Sequence, residues 1–142
     1  MLPTSNFSSK KPYRSLLAGA SMGLLALTIS QTAAAITTKN VTYTVDNQAY
    51  EGYYAKANKP YAPFILLIHD WDGLTDYERK RADMLANEGY NVLAADMFGQ
   101  GIRPTSVEEN KRLTGELYDD RNKMRRILQG ALNRSEERRV GK

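Results

Sequence analysis

The residue types with the greatest chemical capacity in this chain stand within seven positions, Ile68-His69-Asp70-Trp71-Asp72-Gly73-Leu74, which hold its only histidine and its only tryptophan. A histidine beside carboxylates is equipment for proton transfer. To act as a general base it must reach the group it deprotonates and be oriented by a third group. The sequence has no cysteine, which excludes a cysteine nucleophile, a zinc–thiolate site and disulfides within this chain. One histidine excludes a histidine-rich metal site. Asp70, Asp72 and Asp76 begin like a calcium loop, but such a loop needs glycine at its sixth place and glutamate at its twelfth. Those places hold Thr75 and Arg81, so no metal and no cofactor are expected.

The elements that position these residues are readable around them. Phe64-Ile65-Leu66-Leu67-Ile68 is a short apolar run set off by Pro63. It reads as a strand buried on both faces, as in a parallel sheet covered by helices above and below. In open parallel sheets chemistry gathers at the carboxyl ends of the strands, which is where His69 to Gly73 fall. Thr75 with Glu78 has capping-box spacing and starts a helix. Ala82, Leu85 and Ala86 share one helical face, and Gly89 can close the helix in a left-handed cap. Tyr90 to Asp96 reads as a second buried strand, so residues 64–96 form a strand–helix–strand unit of the length a parallel crossover needs.

Upstream, Val41 to Val45 and Gln48 to Ala55 alternate at period two around Asp46-Asn47, a β-hairpin signal. Downstream, Met97 to Pro104 is a glycine-containing loop that carries Arg103. Ser106 with Glu109 repeats the capping-box spacing. Met124, Ile127, Leu128, Ala131 and Leu132 place a helical segment from about Asp120 to Leu132.

The ends of the chain differ in composition from its middle. Residues 1–35 carry a charge of +3, residues 134–142 carry +2, and residues 36–133 carry −1. A near-neutral middle offers no clustered bases for a nucleic acid. Lys10, Lys11 and Arg14, an apolar stretch from Leu16 to Ile29, and the small residues Ala33-Ala34-Ala35 make a secretory signal peptide the expectation, with cleavage after Ala35. The apolar stretch is shorter than the ~20 residues of a spanning helix, so no stable membrane anchor is expected and the expected location is periplasmic or secreted. The domain is then 36–133. The tail at 134–142 is almost wholly charged, and two readings stand: a solvated helix end, or a foreign addition resembling a translated sequencing-adapter remnant.

Three blocks in order, Ile68-His69-Asp70-Trp71-Asp72-Gly73-Leu74, Ala86-Asn87-Glu88-Gly89-Tyr90 and Ala94-Ala95-Asp96-Met97-Phe98-Gly99, resemble the first half of the dienelactone hydrolase family over about residues 41–133. The resemblance implies an α/β chain with an incomplete α/β-hydrolase fold: an N-terminal hairpin, then parallel strand–helix–strand and helices. It implies hydrolysis of a small ester or lactone through an acyl-enzyme. The nucleophile would be a cysteine or serine on a Gly-x-nucleophile-x-Gly turn, with an aspartate and a histidine further along. No such turn stands past the strand at 91–96. Beyond residue 96 the serines are Ser106 and Ser135, neither flanked by such glycines, and no histidine follows His69.

Carried over by position, the resemblance makes the backbone N–H of Trp71 an oxyanion-hole donor. It makes Asp70 a candidate for tuning the nucleophile, with capping of the following turn as the other reading. It makes His69 structural rather than the base. Trp71 is a candidate wall of the acyl pocket or a core residue. Arg103 is a candidate for meeting a substrate carboxylate, or a solvated arginine. The expectation is therefore the front half of an exported hydrolase, inactive alone, whose strand 64–69 is left with an open edge that invites self-association. The rival is a non-catalytic periplasmic binding module.

Overall fold

A computed structural model describes residues 35–139, and their side chains through residue 136. Residues 1–34 of the expected signal peptide at 1–35 lie outside the described residues. Among the described residues no helix is long and apolar enough to cross a membrane.

The order of elements is β1 (Thr37–Val45), β2 (Gln48–Lys56), β3 (Phe64–Ile68), α1 (Asp76–Asn87), β4 (Asn91–Ala95), α2 (Val107–Asp119) and α3 (Arg121–Arg139). β1 and β2 form the expected hairpin, in register from Val45 opposite Gln48 to Thr37 opposite Lys56. Asp46 and Asn47 hold φ of 50° and 61°. Two left-handed residues in a two-residue loop match the twist of the paired strands, and Asp and Asn tolerate that backbone better than most side chains.

β3, α1 and β4 make the crossover. β3 pairs parallel with β4, Phe64 opposite Asn91 through Ile68 opposite Ala95. α1 starts on a complete capping box: Thr75 accepts from the Tyr77 N–H, and the Glu78 carboxylate accepts from the Thr75 N–H at 2.8 Å. The helix gives way at Gly89, whose φ of +98° is costly for any side chain with a Cβ. β4 then pairs antiparallel with β2 on its other side. A Cβ on Gly52 would stand 2.7 Å from the Ala94 carbonyl oxygen, so glycine there permits the close approach of β2 to β4.

The sheet order is β1-β2-β4-β3. Alternation along the central strand supplies two cores. Leu93 and Ala95 face a cluster with Tyr43, Tyr50, Leu113 and Ile127, under α2 and α3. Val92 and Ala94 face a smaller cluster with Leu74, Ala82 and Ala86, under α1. The mixed α/β fold expected from the sequence is present as a three-layer unit.

Three expectations need correction. β3 is not buried on both faces: Phe64 to Leu67 are half-buried and Ile68 is 52% exposed, because β3 is the edge strand and has β4 on one side only. The second capping box is split. Ser106 accepts from the Glu109 N–H at 3.2 Å, but the Glu109 carboxylate accepts from Thr105 N–H at 2.9 Å instead of Ser106. The last helix runs on to Arg139, beyond Leu132, and Ser135 within the charged tail is buried.

Candidate active site

The two parallel strands end side by side, and the loops that follow them are built differently. After β4, Asp96 is fully buried. Its Oδ1 accepts the N–H groups of Phe98 and Gly99 at 3.0 and 3.1 Å, and its Oδ2 accepts the Glu51 N–H at 3.0 Å. Its backbone carbonyl accepts the Tyr43 hydroxyl at 2.5 Å. Burial and then the Asp96 charge push the Tyr43 phenol well above its ordinary value, so it remains a donor. A buried carboxylate is tolerable only with such a set of donors. The Arg103 guanidinium joins them, with Nη1 3.8 Å from Asp96 Oδ1 and donating to the Ile102 carbonyl at 2.6 Å.

His69 links the two loops. Its Nε2 accepts the Met97 N–H at 3.1 Å, and its Nδ1 lies 2.6 Å from the Asp70 carbonyl oxygen. The first contact requires a bare Nε2 and the second requires a proton on Nδ1, so one neutral tautomer satisfies both. The ring also meets Phe98 edge-on at 4.7 Å. Both nitrogens are committed to the backbone, which suits a structural histidine and not a base.

The loop after β3 is less tied down. Asp70 is exposed, and its Oδ1 is approached by the Asp72 N–H at 3.4 Å. The Asp72 carboxyl is half-buried, with Oδ1 shielded from solvent and without a hydrogen-bond partner. The hydrogen bond from Asp72 holds the Asp70 carboxyl below its ordinary value, and the same contact raises Asp72. Two neighbouring carboxyls split in this way.

A cleft of about 500 Å³ opens beside this loop, between the end of β3 and the helices α2 and α3. Asp70 and Trp71 line it, with Phe98 behind them and Tyr118 and Met124 opposite. The expected oxyanion-side residues are thus brought together at one opening, and Trp71, 43% exposed, belongs to its wall rather than to the core. Arg103 is not part of that wall; its guanidinium is turned onto the 96–102 loop. Sequence reasoning missed Asp96 as the organiser of that loop, and missed Tyr118 and Met124 as cleft residues. An acid ending a buried apolar strand was the available signal for Asp96. None marked the α2 and α3 residues, which meet the loops only through the tertiary fold.

No nucleophile–base pair is assembled among the described residues. The Ser106 hydroxyl caps α2, and the buried Ser135 Oγ donates to the Leu132 carbonyl at 2.6 Å. Nor does any group of three His, Asp or Glu side chains there converge as a metal site.

A parallel β–α–β unit continuing an antiparallel hairpin, with its cleft at the strands' carboxyl ends, defines the α/β-hydrolase class of fold. The chain belongs to the dienelactone hydrolase family, whose model matches residues 50–142. Among solved structures it resembles m3DLH (27% identical, TM-score 0.67, covering 71% of this chain and 43% of that one). It also resembles a dienelactone hydrolase-like promiscuous phosphotriesterase from metagenomic libraries (28% identical, TM-score 0.64, 70% and 42%). A Klebsiella pneumoniae chain, 15% identical with TM-score 0.57, shares the fold over 75% of this chain and 45% of its own. The chain therefore spans less than half the length of these solved structures. No protein of curated function matches it.

Proposed function

We propose that this chain is the oxyanion-hole half of an exported hydrolase that cleaves small esters or lactones through an acyl-enzyme. The observation that carries the reading is the open edge of β3 with Asp70 and Trp71 at its carboxyl end, in a family member whose match covers less than half of its solved relatives. The Trp71 N–H would donate to the developing oxyanion. Fixed donors of that kind are worth about 100- to 1000-fold in rate. Asp70 would adjust the ionisation of a nucleophile brought in on a strand beside β3. Without that strand the chain is inactive, and self-association through the β3 edge is its expected failure mode. The near-neutral middle supports a small-molecule substrate and no nucleic-acid partner.

Reading the native locus downstream of Lys142 tests this. Codons for Gly-x-Cys-x-Gly or Gly-x-Ser-x-Gly, followed by aspartate and histidine, are expected. A genuine stop codon there would favour the non-catalytic binding module instead. The same read decides whether residues 134–142 are native or foreign. Export is tested by N-terminal sequencing of the periplasmic or secreted product, which should begin at Ile36.

A further inference from the structure

The sheet has two outer strands of unequal length. β3 has 5 residues; β1, at the far end, runs 9 residues from Thr37 to Val45. The hairpin fixes which β1 backbone groups face outward. In a two-residue loop the flanking residues, here Val45 and Gln48, exchange hydrogen bonds, and bonded and non-bonded pairs then alternate along the ladder. The far side of β2 agrees: the Glu51 N–H donates to Asp96 at 3.0 Å and the Ala49 carbonyl accepts the Gln100 N–H at 2.9 Å, so both turn away from β1. Their opposites Thr42 and Thr44, and with them Asn40 and Thr38, therefore aim N–H and C=O away from β2. Among the described residues no strand pairs with that side. Native edges are blunted by proline, bulges, charges or a covering element. β1 has no proline, its register with β2 is unbroken from end to end, and its outward residues are uncharged and exposed. Threonine is also among the residues favoured in strands.

We infer that the outer edge of β1 is an interface for a second copy of this chain, paired antiparallel about a two-fold axis at Val41. Asn40 of one copy then stands opposite Thr42 of the other, and Thr38 opposite Thr44, so every outward residue of the strand finds a partner. Such an interface is isologous and closes at the dimer. Charge favours a second copy as well. The outward residues bring no like charges together, and antiparallel pairing sets the exposed Lys39 end of one strand beside the Asp46 turn of the other. Asp46 meets Arg126 at 2.8 Å with both side chains about half exposed, so its carboxylate stays open to a further cation. This surface lies across the sheet from β3 and does not depend on the hydrolase reading.

Sedimentation equilibrium of the full chain tests it, with a dimer that dissociates on dilution as the expected result. Thr42→Pro removes an outward N–H and no bond within the hairpin, the one place a sheet accepts proline, and should weaken the dimer about tenfold or more. Lys39→Glu, at an exposed side chain, should weaken it at low salt and regain part of the loss as salt is added, a response that misfolding would not give. The chain has no cysteine, so a single introduced thiol reports its own neighbour. Thr42→Cys should be joined to a second copy by a short bis-maleimide, with Ile68→Cys as the matching probe of the β3 edge. A monomer at every concentration would overturn the inference, whether the β1 edge is bare or covered by another part of the chain. So would association that Thr42→Pro leaves unchanged, or linkage through Ile68→Cys alone, which would put the contact on β3.

Discussion

β3 and β4 are parallel neighbours of equal length and similar apolar content, yet they end in opposite conditions. β4 is paired on both sides, its last four residues are buried, and the loop after it hangs on the carboxylate of Asp96. β3 is paired on one side, half-exposed, and followed by a loop that carries two neighbouring aspartates and a tryptophan facing a cleft. The difference separates what the fold needs from what a site needs. The β4 loop is built for rigidity. The β3 loop keeps polar and aromatic groups uncommitted at the place where chemistry in this fold class occurs.

The largest test of that contrast is Asp96→Ala. It leaves the Phe98, Gly99 and Glu51 N–H groups without their acceptor in a buried site, and should cost on the order of 3–5 kcal/mol in denaturant unfolding. A loss under about 1 kcal/mol would mean that the β4 loop is not organised by this carboxylate. Next comes a matched pair of core truncations. Leu93→Ala in β4, at a residue 1% exposed, should cost about 2–5 kcal/mol. Leu66→Ala, opposite it on half-buried β3, should cost roughly half as much or less, in proportion to the apolar area it covers. Equal losses would show that the β3 edge is covered in solution.

The smallest effect is the pH dependence of the aspartate pair. Asp70, held low in the folded state, adds stability above its ordinary value that is lost as pH falls through the folded one. Asp72, raised in the folded state, does the reverse: it favours folding while protonated, and that contribution is lost as pH rises through its raised value. The two oppose each other. Asp72→Asn removes the second, so its stability relative to the unaltered chain should improve as pH rises from about 3 to about 6. A parallel profile for the two proteins would show that Asp72 is not raised in the folded chain.

Local chemistry was legible in the sequence wherever it was settled by a few neighbouring residues. Thr75 and Glu78 are three apart, Gly89 follows the last helical turn, and Asp46-Asn47 sits between two alternating runs; each produces its feature almost regardless of the rest. The exposure of β3 was not legible, because Phe64 to Ile68 is as apolar as a central strand and only the sheet order makes it an edge. The direction of Arg103 was hidden for the same reason, since its partner Asp96 is buried by the fold. The continuation of α3 through 134–139 reflects propensity: Arg and Glu are good helix formers whatever their polarity. Of the candidate site, Asp70 and Trp71 were accessible as loop residues after an apolar strand. The opposite wall, from α2 and α3, depends on packing that periodicity does not encode.

The central proposal is that the described residues present the oxyanion side of a hydrolase site and no attacking group. Hydrolysis of p-nitrophenyl acetate by the purified 36–142 chain, measured beside a His69→Ala control, tests it most directly. The expected result is the same slow rate for both, indistinguishable from buffer. Turnover well above the control would place a working nucleophile and base within the chain and contradict the account.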